Sequence, residues 1–141
     1  MIDVVVTGGR NFSDESLVRW ALDSLHLTFT IRLLIHGDAT GADRLCASWA
    51  TSNDVACRPM PANWSDVSVP DAVIRYRRNG TPYNVLAGFQ RNQEMIDIAG
   101  PNYAVAFPGG KGTDDMCKRI NQARILLWDL RSARPTSTTT S

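Results

Sequence analysis

An α/β fold, built on an open, mainly parallel sheet with helices on both faces, is what this sequence predicts. Two observations lead there. Short apolar, β-branched runs alternate with segments whose apolar residues recur at helical spacing, and most of the runs halt at a glycine-bearing turn before the next helix begins. Strands that alternate with helices lie parallel, because the helix provides the crossover. The length, 141 residues, suits one core that buries roughly two thirds of the unfolded surface.

Ile2 to Thr7 carries a single charge and reads as a strand covered on both faces; it stops at Gly8-Gly9. Ser13 is the predicted N-cap of the first helix, with Asp14 and Glu15 in its first turn and Leu17, Val18, Ala21, Leu22 and Leu25 on one face. Arg32 to Ile35 rebuilds a strand, HGDATGAD breaks it, and Leu45, Cys46, Trp49 and Ala50 mark the next helix face. Ala56 to Met60 is a third strand. From Pro61 the rhythm is lost: the stretch of about 61–87 carries several prolines and the cluster Arg75, Arg77 and Arg78, and reads as a long loop or small insertion. A helix follows over Gly88 to Ala99, a strand over Tyr103 to Phe107, a helix over Thr113 to Ala123 with Met116, Ile120 and Ala123 in step, and a last strand over Ile125 to Trp128. Residues 1–130 are thus expected to form one domain, and 131–141 a disordered Ser/Thr-rich tail.

A formal net charge of +1 gives no chain-wide field, so neither nucleic acid nor an anionic membrane is indicated as partner. Cys46, Cys57 and Cys117 lack the paired spacing of a zinc or redox site and read as reduced and mostly buried, which suits a cytoplasmic protein. The apolar start lacks a basic region, and no run is long enough to span a bilayer. No cofactor and no metal site is indicated; His26 and His36 share no ligand spacing.

Ligands in open α/β sheets lie at the carboxyl ends of the strands. Three glycine-bearing turns fall there: Gly8-Gly9-Arg10, Gly37-Asp38-Ala39-Thr40-Gly41, and Pro108-Gly109-Gly110-Lys111-Gly112. At a helix N-terminus the first amides are unpaired donors at the positive end of the dipole, so PGGKGT is suited to a phosphate, with Lys111 adding charge. The plainer alternative is that the glycines only make tight turns and Thr113 caps its helix. Asp114 and Asp115, in the first turn, would compete with a phosphate unless they face solvent or hold ribose hydroxyls. Neither the P-loop spacing nor GxGxxG is present.

The order TGGR, IHGDATGADRLCASWA, PANW, AGFQRNQEM and PGGKGTDDM resembles the YspA-like (cpYpsA-related) family of the SLOG superfamily. The resemblance covers nearly the whole chain up to about Ala123. It implies a Rossmann-like fold and a nucleotide or nucleotide-derived small molecule as ligand; many such domains form dimers or higher assemblies, so a homo-oligomer is also implied. The superfamily includes DprA and the lysine-decarboxylase-like LOG proteins. Some of the latter are phosphoribohydrolases that use a helix arginine and the glutamate of PGGxGTxxE. Arg91 matches the arginine, but Met116 stands at the glutamate position and cannot take a proton. The stretch between Trp64 and Ala87-Gly88 is lengthened relative to the family.

The leading expectation is a sensor or sequestering protein for a nucleotide-derived ligand. Gly109, Gly110, Lys111, Gly112 and Thr113, with Pro108, would hold phosphate; Gly8, Gly9, Arg10, Gly37, Asp38, Thr40 and Gly41 would shape the rest, and Arg91 and Asn92 would close the site. Asp43 reads either as an acid of a helix's first turn or as a site carboxylate. His36 is either packed or a ligand contact, and Trp64 is a candidate for base stacking. An alternative is N-glycoside hydrolysis with Asp38 or Asp115 and Arg91 as catalytic groups. A second alternative, suggested by the kinship to DprA, is single-stranded nucleic-acid binding through Arg75, Arg77 and Arg78.

Overall fold

A computed structural model describes residues 1–133. Strand β1 (Ile2–Thr7) lies at the centre of a five-stranded sheet in the order β3-β2-β1-β6-β7, with β2 at Ile31–His36, β3 at Ala56–Pro59, β6 at Tyr103–Ala106 and β7 at Leu126–Asp129. All four pairings are parallel. The sheet is the expected open α/β architecture, and its strand order reverses between β1 and β6.

The alternation of β1 explains why helices are needed on both sides. Val4 and Val6 point into a core layer that holds Leu17, Val18, Leu22, Cys46 and Phe107. Val5 points the other way, into a layer that holds Ile35, Met95, Ala104, Met116 and Ile120. The first layer is closed by α1 (Glu15–Phe29) and α2 (Ala42–Ser52), the second by α3 (Ala87–Asp97) and α4 (Lys111–Gln122). Each helix buries one stripe of its periodic apolar residues.

Several boundaries differ from the sequence reading for local reasons. The cap of α1 is Asp14, not Ser13: an Asp14 side-chain oxygen accepts from the Leu17 N–H at 3.1 Å. Helix α4 starts at Lys111, two residues before the predicted start, with Gly110 as a cap that makes no side-chain bond; Thr113 therefore lies inside the first turn and is not the cap. The insertion holds an antiparallel hairpin, β4 (Ile74–Tyr76) with β5 (Pro82–Asn84). Cys57 is exposed, because β3 is an edge strand, while Cys46 and Cys117 are buried. Trp49 is core, but Trp20 is 55% exposed, paired at 5.2 Å with the half-buried Trp128 of edge strand β7. Arg131 to Ala133 continue in a turn on the sheet, with Arg131 in ion pairs to Asp114 and Asp129 and Ala133 against the first core layer. The remainder of the predicted tail, 134–141, lies outside the described residues. Among the described residues no helix is long and apolar enough to cross a membrane.

Candidate functional site

The sheet brings the three turns to one edge and binds them to one another. The Gly9 N–H donates to the Pro108 carbonyl at 2.9 Å, the Gly9 carbonyl accepts from the Ala42 N–H at 3.1 Å, and the Thr40 hydroxyl donates to the Arg10 carbonyl at 3.2 Å. This lacing requires small residues. A Cβ on Gly8 would lie 2.5 Å from the Ala42 Cβ, and one on Gly109 would lie 2.7 Å from the Gly9 nitrogen. Gly110 and Gly112 are different. A Cβ on either would meet nothing within 4 Å, so packing does not explain these two glycines.

Between the turns, at the point where the strand order reverses, is a cavity of about 630 Å³. Its volume is in the range of small-molecule sites, and its place is where open α/β sheets bind ligands. Gly8, Gly9 and Arg10 of the first turn line it, as do Pro108, Gly109, Gly110, Lys111, Gly112 and Thr113 of the third. The amides of Lys111, Gly112 and Thr113 have no intrahelical partner; the first ladder bond of α4 runs from Asp114 to Gly110. Arg91 and Asn92 of α3 also line the cavity. The second turn contributes Ala39 and Asp43.

Four predicted residues, Gly37, Asp38, Thr40 and Gly41, do not line the cavity. Gly37 lies beneath the Arg91 guanidinium, which would be 2.5 Å from an added Cβ. Asp38 is exposed in a left-handed conformation (φ 57°), and its N–H donates to His36 Nδ1 at 3.0 Å. Thr40 and Gly41 are taken up by the contact with Arg10 and Gly9. Three amides of this turn are satisfied internally: Gly37 and Ala39 donate to Asp43 Oδ2 at 3.0 and 3.2 Å, and Asp38 donates to His36 Nδ1. Asp43 is thus the internal anion of the second turn, and it also reaches the cavity wall.

Arg91 is anchored by two carbonyls, Gly37 at 2.6 Å and Met60 at 3.2 Å, through Nη1. Nη2 has no protein partner among the described residues. Burial lowers the Arg91 pKa, opposed by the nearby Asp43 charge. Asn92, 4% exposed, ties α3 to α4 by donating to the Gly112 carbonyl at 3.2 Å and to Asp115 at 3.1 Å. Asp115 is further held by Arg119 at 2.7 Å and does not line the cavity. Met116 is fully buried in the second core layer. Asp115 and Met116 therefore face the α3–α4 interface and the core, respectively.

His36 is buried, and desolvation lowers its pKa despite the neighbouring Asp43 and Asp38 charges, so its imidazole is held toward the neutral form, accepting at Nδ1. Burial raises the pKa of Asp43, against the opposing effects of the Ala39 and Gly37 amides and the His36 and Arg91 charges. A raised carboxyl pKa favours the protonated form in the folded state. The stability it contributes is complete below the ordinary value of 3.8 and is lost as pH rises through the elevated folded value. Compared with Asp43→Asn, which does not titrate here, the melting temperature of the wild type should fall progressively between acid pH and neutrality. Thermal melts of both proteins at stepped pH test this; a constant difference would contradict it.

The opposite wall is apolar: Trp64 and Val85 from the insertion, and Gly88, Phe89 and Met95 from α3. Trp64 packs on Gly88, 3.2 Å from where a Cβ would be, and the Arg10 guanidinium lies over its ring, 5.6 Å from the centroid. The arginine cluster is elsewhere. Arg77 is engaged within the hairpin, donating to the Pro82 carbonyl at 3.0 Å and stacking on Tyr83; Arg75 and Arg78 are exposed, and none of the three lines the cavity. One organising residue was not singled out from the sequence. Asn84, 1% exposed, accepts from the Val73 and Leu86 amides and donates to Gln90 Oε1, and its N–H donates to the Trp64 carbonyl at 2.7 Å. It pins the insertion that carries Trp64 to α3. An asparagine just before a helix is common in turns, so its sequence context carries no distinguishing signal.

No curated protein matches the chain. A family model does match, over residues 2–66, which contain β1 to β3, the first two turns and Trp64; the match ends before α3 and α4. Over these residues the chain is similar to the YspA, cpYpsA-related SLOG family.

Proposed function

We propose that the protein binds a phosphorylated, nucleoside-derived small molecule and acts as its sensor or sequestering protein. The observation that carries this reading is the third turn. Three amides at the start of α4 that have no partner among the described residues and the side chain of Lys111 adjoin a cavity of nucleotide size, and two glycines there have no packing neighbour among those residues to require them. Arg10 and Arg91 add positive charge around the same space, and Trp64 and Phe89 offer ring surface for a base. The similarity of residues 2–66 to the SLOG family supports the same ligand class.

Binding is favoured over hydrolysis because, among the described residues, Asp43 is the one carboxylate on the cavity wall, and it already holds two amides. Binding is favoured over single-stranded nucleic acid because the exposed arginines of the hairpin do not join the cavity. Calorimetry of the full chain against nucleoside mono- and diphosphates, cyclic nucleotides, NAD and ADP-ribose should find a ligand with one-to-one stoichiometry. No heat and no thermal shift at millimolar concentrations of any of them would overturn the reading.

A further inference from the structure

The cavity has two polar ends. At one end are the free donors of α4; at the other is a carboxylate. Asp43 is 6% exposed, yet it lines the cavity. Its Oδ2 accepts from the Gly37 and Ala39 amides, while Oδ1 has no hydrogen-bond partner, and Asp43 is in no ion pair among the described residues. Two bonds to one oxygen fix the plane of the carboxylate, so the other oxygen is a prepositioned acceptor. Among the described residues Oδ1 is not one of the fully buried, unpartnered side-chain atoms, so it is open to the cavity, where water or a ligand can donate to it.

What kind of donor fits follows from topology. Asp43 follows β2 and the Gly110–Thr113 turn follows β6, on either side of β1. Neighbouring strands are about 4.8 Å apart, so the carboxyl ends of β2 and β6, from which the two turns start, are separated by roughly 10 Å. A pentose 5-phosphate, with a hydrogen bond at each end, bridges that span. A second phosphate cannot take the Asp43 end, because the amides of that turn already hold a carboxylate and a phosphate would face its charge.

Resting on the nucleotide-binding reading, we infer that Asp43 accepts the 2′- and 3′-hydroxyls of a ribose whose phosphate lies on the first turn of α4, making the site selective for ribonucleotide over deoxyribonucleotide ligands. Arg91, fixed on the Gly37 carbonyl behind this turn, keeps positive charge beside the carboxylate without pairing with it. The hydroxyls therefore meet an acceptor that is not occupied by a cation.

The test is calorimetry of the wild-type chain with the common ribonucleoside 5′-monophosphates and ADP-ribose, each against its 2′-deoxy and 3′-deoxy counterpart. The ribo form of whichever probe binds should be about tenfold to hundredfold tighter, the loss expected when a hydrogen bond to a charged group is removed. Asp43→Asn should narrow that ratio by weakening the ribo form and leaving the deoxy form nearly unchanged. Equal affinities for the ribo and deoxy forms on the wild type would overturn the inference and leave the nucleotide-binding reading standing. Failure of every phosphorylated probe to bind would overturn both. The wild-type ratio needs no variant, so a failure of Asp43→Asn to fold does not remove the test.

Discussion

Gly110→Asp is expected to abolish ligand binding while leaving the protein as stable as before, or slightly more stable. Gly110 caps α4 at a negative φ (−113°), outside the left-handed region that favours glycine, and a Cβ there meets nothing within 4 Å. Aspartate is among the best N-caps. Its carboxylate would accept from the Gly112 or Thr113 amide and gain a few tenths of a kcal/mol over glycine. The same carboxylate would then occupy the donors offered to phosphate and repel its charge, so affinity should fall about hundredfold or more. Calorimetry and thermal melts on one preparation separate the two effects. Unchanged affinity in a variant that melts at or above the wild-type temperature would show that phosphate is not held at α4.

Gly41→Ala is expected to have the largest effect on stability. Gly41 has φ +77° and ψ −124°, a region that L residues rarely adopt. An added Cβ would overlap the Gly9 carbonyl oxygen and lie 2.5 Å from the carbonyl of Arg10. Both obstacles are backbone, so no side-chain rotation relieves them. Strain of this kind and displacement of the first turn together should cost roughly 3 kcal/mol or more. For a domain of this size that lowers the melting temperature by about 10 °C. Because Gly9 also bonds Pro108, displacing it should loosen the cavity and weaken binding as well. Denaturation by urea, with melting followed by calorimetry, measures the loss. A variant that melts with the wild type would mean that the contact between the first two turns is easily deformed.

These two glycines show how far the sequence could be read. Both appeared as parts of glycine-rich turns at strand ends, and that placement needed only local pattern. Which glycine packs and which is open depends on the neighbouring turns, residues far away in the chain. Gly41 is required by Gly9 and Arg10; Gly110 is required by no protein neighbour. The same distinction applies to carboxylates. Asp43 could be read as a helix-start acid or as a site acid, and it proves to accept the amides of its own turn while reaching the cavity. Asp115, offered as an alternative catalytic group, is taken by Asn92 and Arg119 across the α3–α4 contact.

The order of strands and helices, both covered faces of β1, the buried stripe of each helix and the meeting of glycine turns at one sheet edge were legible in the sequence by itself, because backbone periodicity and turn chemistry act over a few neighbouring residues. Tertiary structure alone decided that the second turn is closed on its own carboxylate, that Gly37, Asp38, Thr40 and Gly41 stand behind the cavity, that Asn84 anchors the insertion, and that the first amides of α4 remain free. Those outcomes depend on hydrogen-bond partners brought together through space by the parallel sheet, and a donor's partner is not encoded by its own neighbours in the chain.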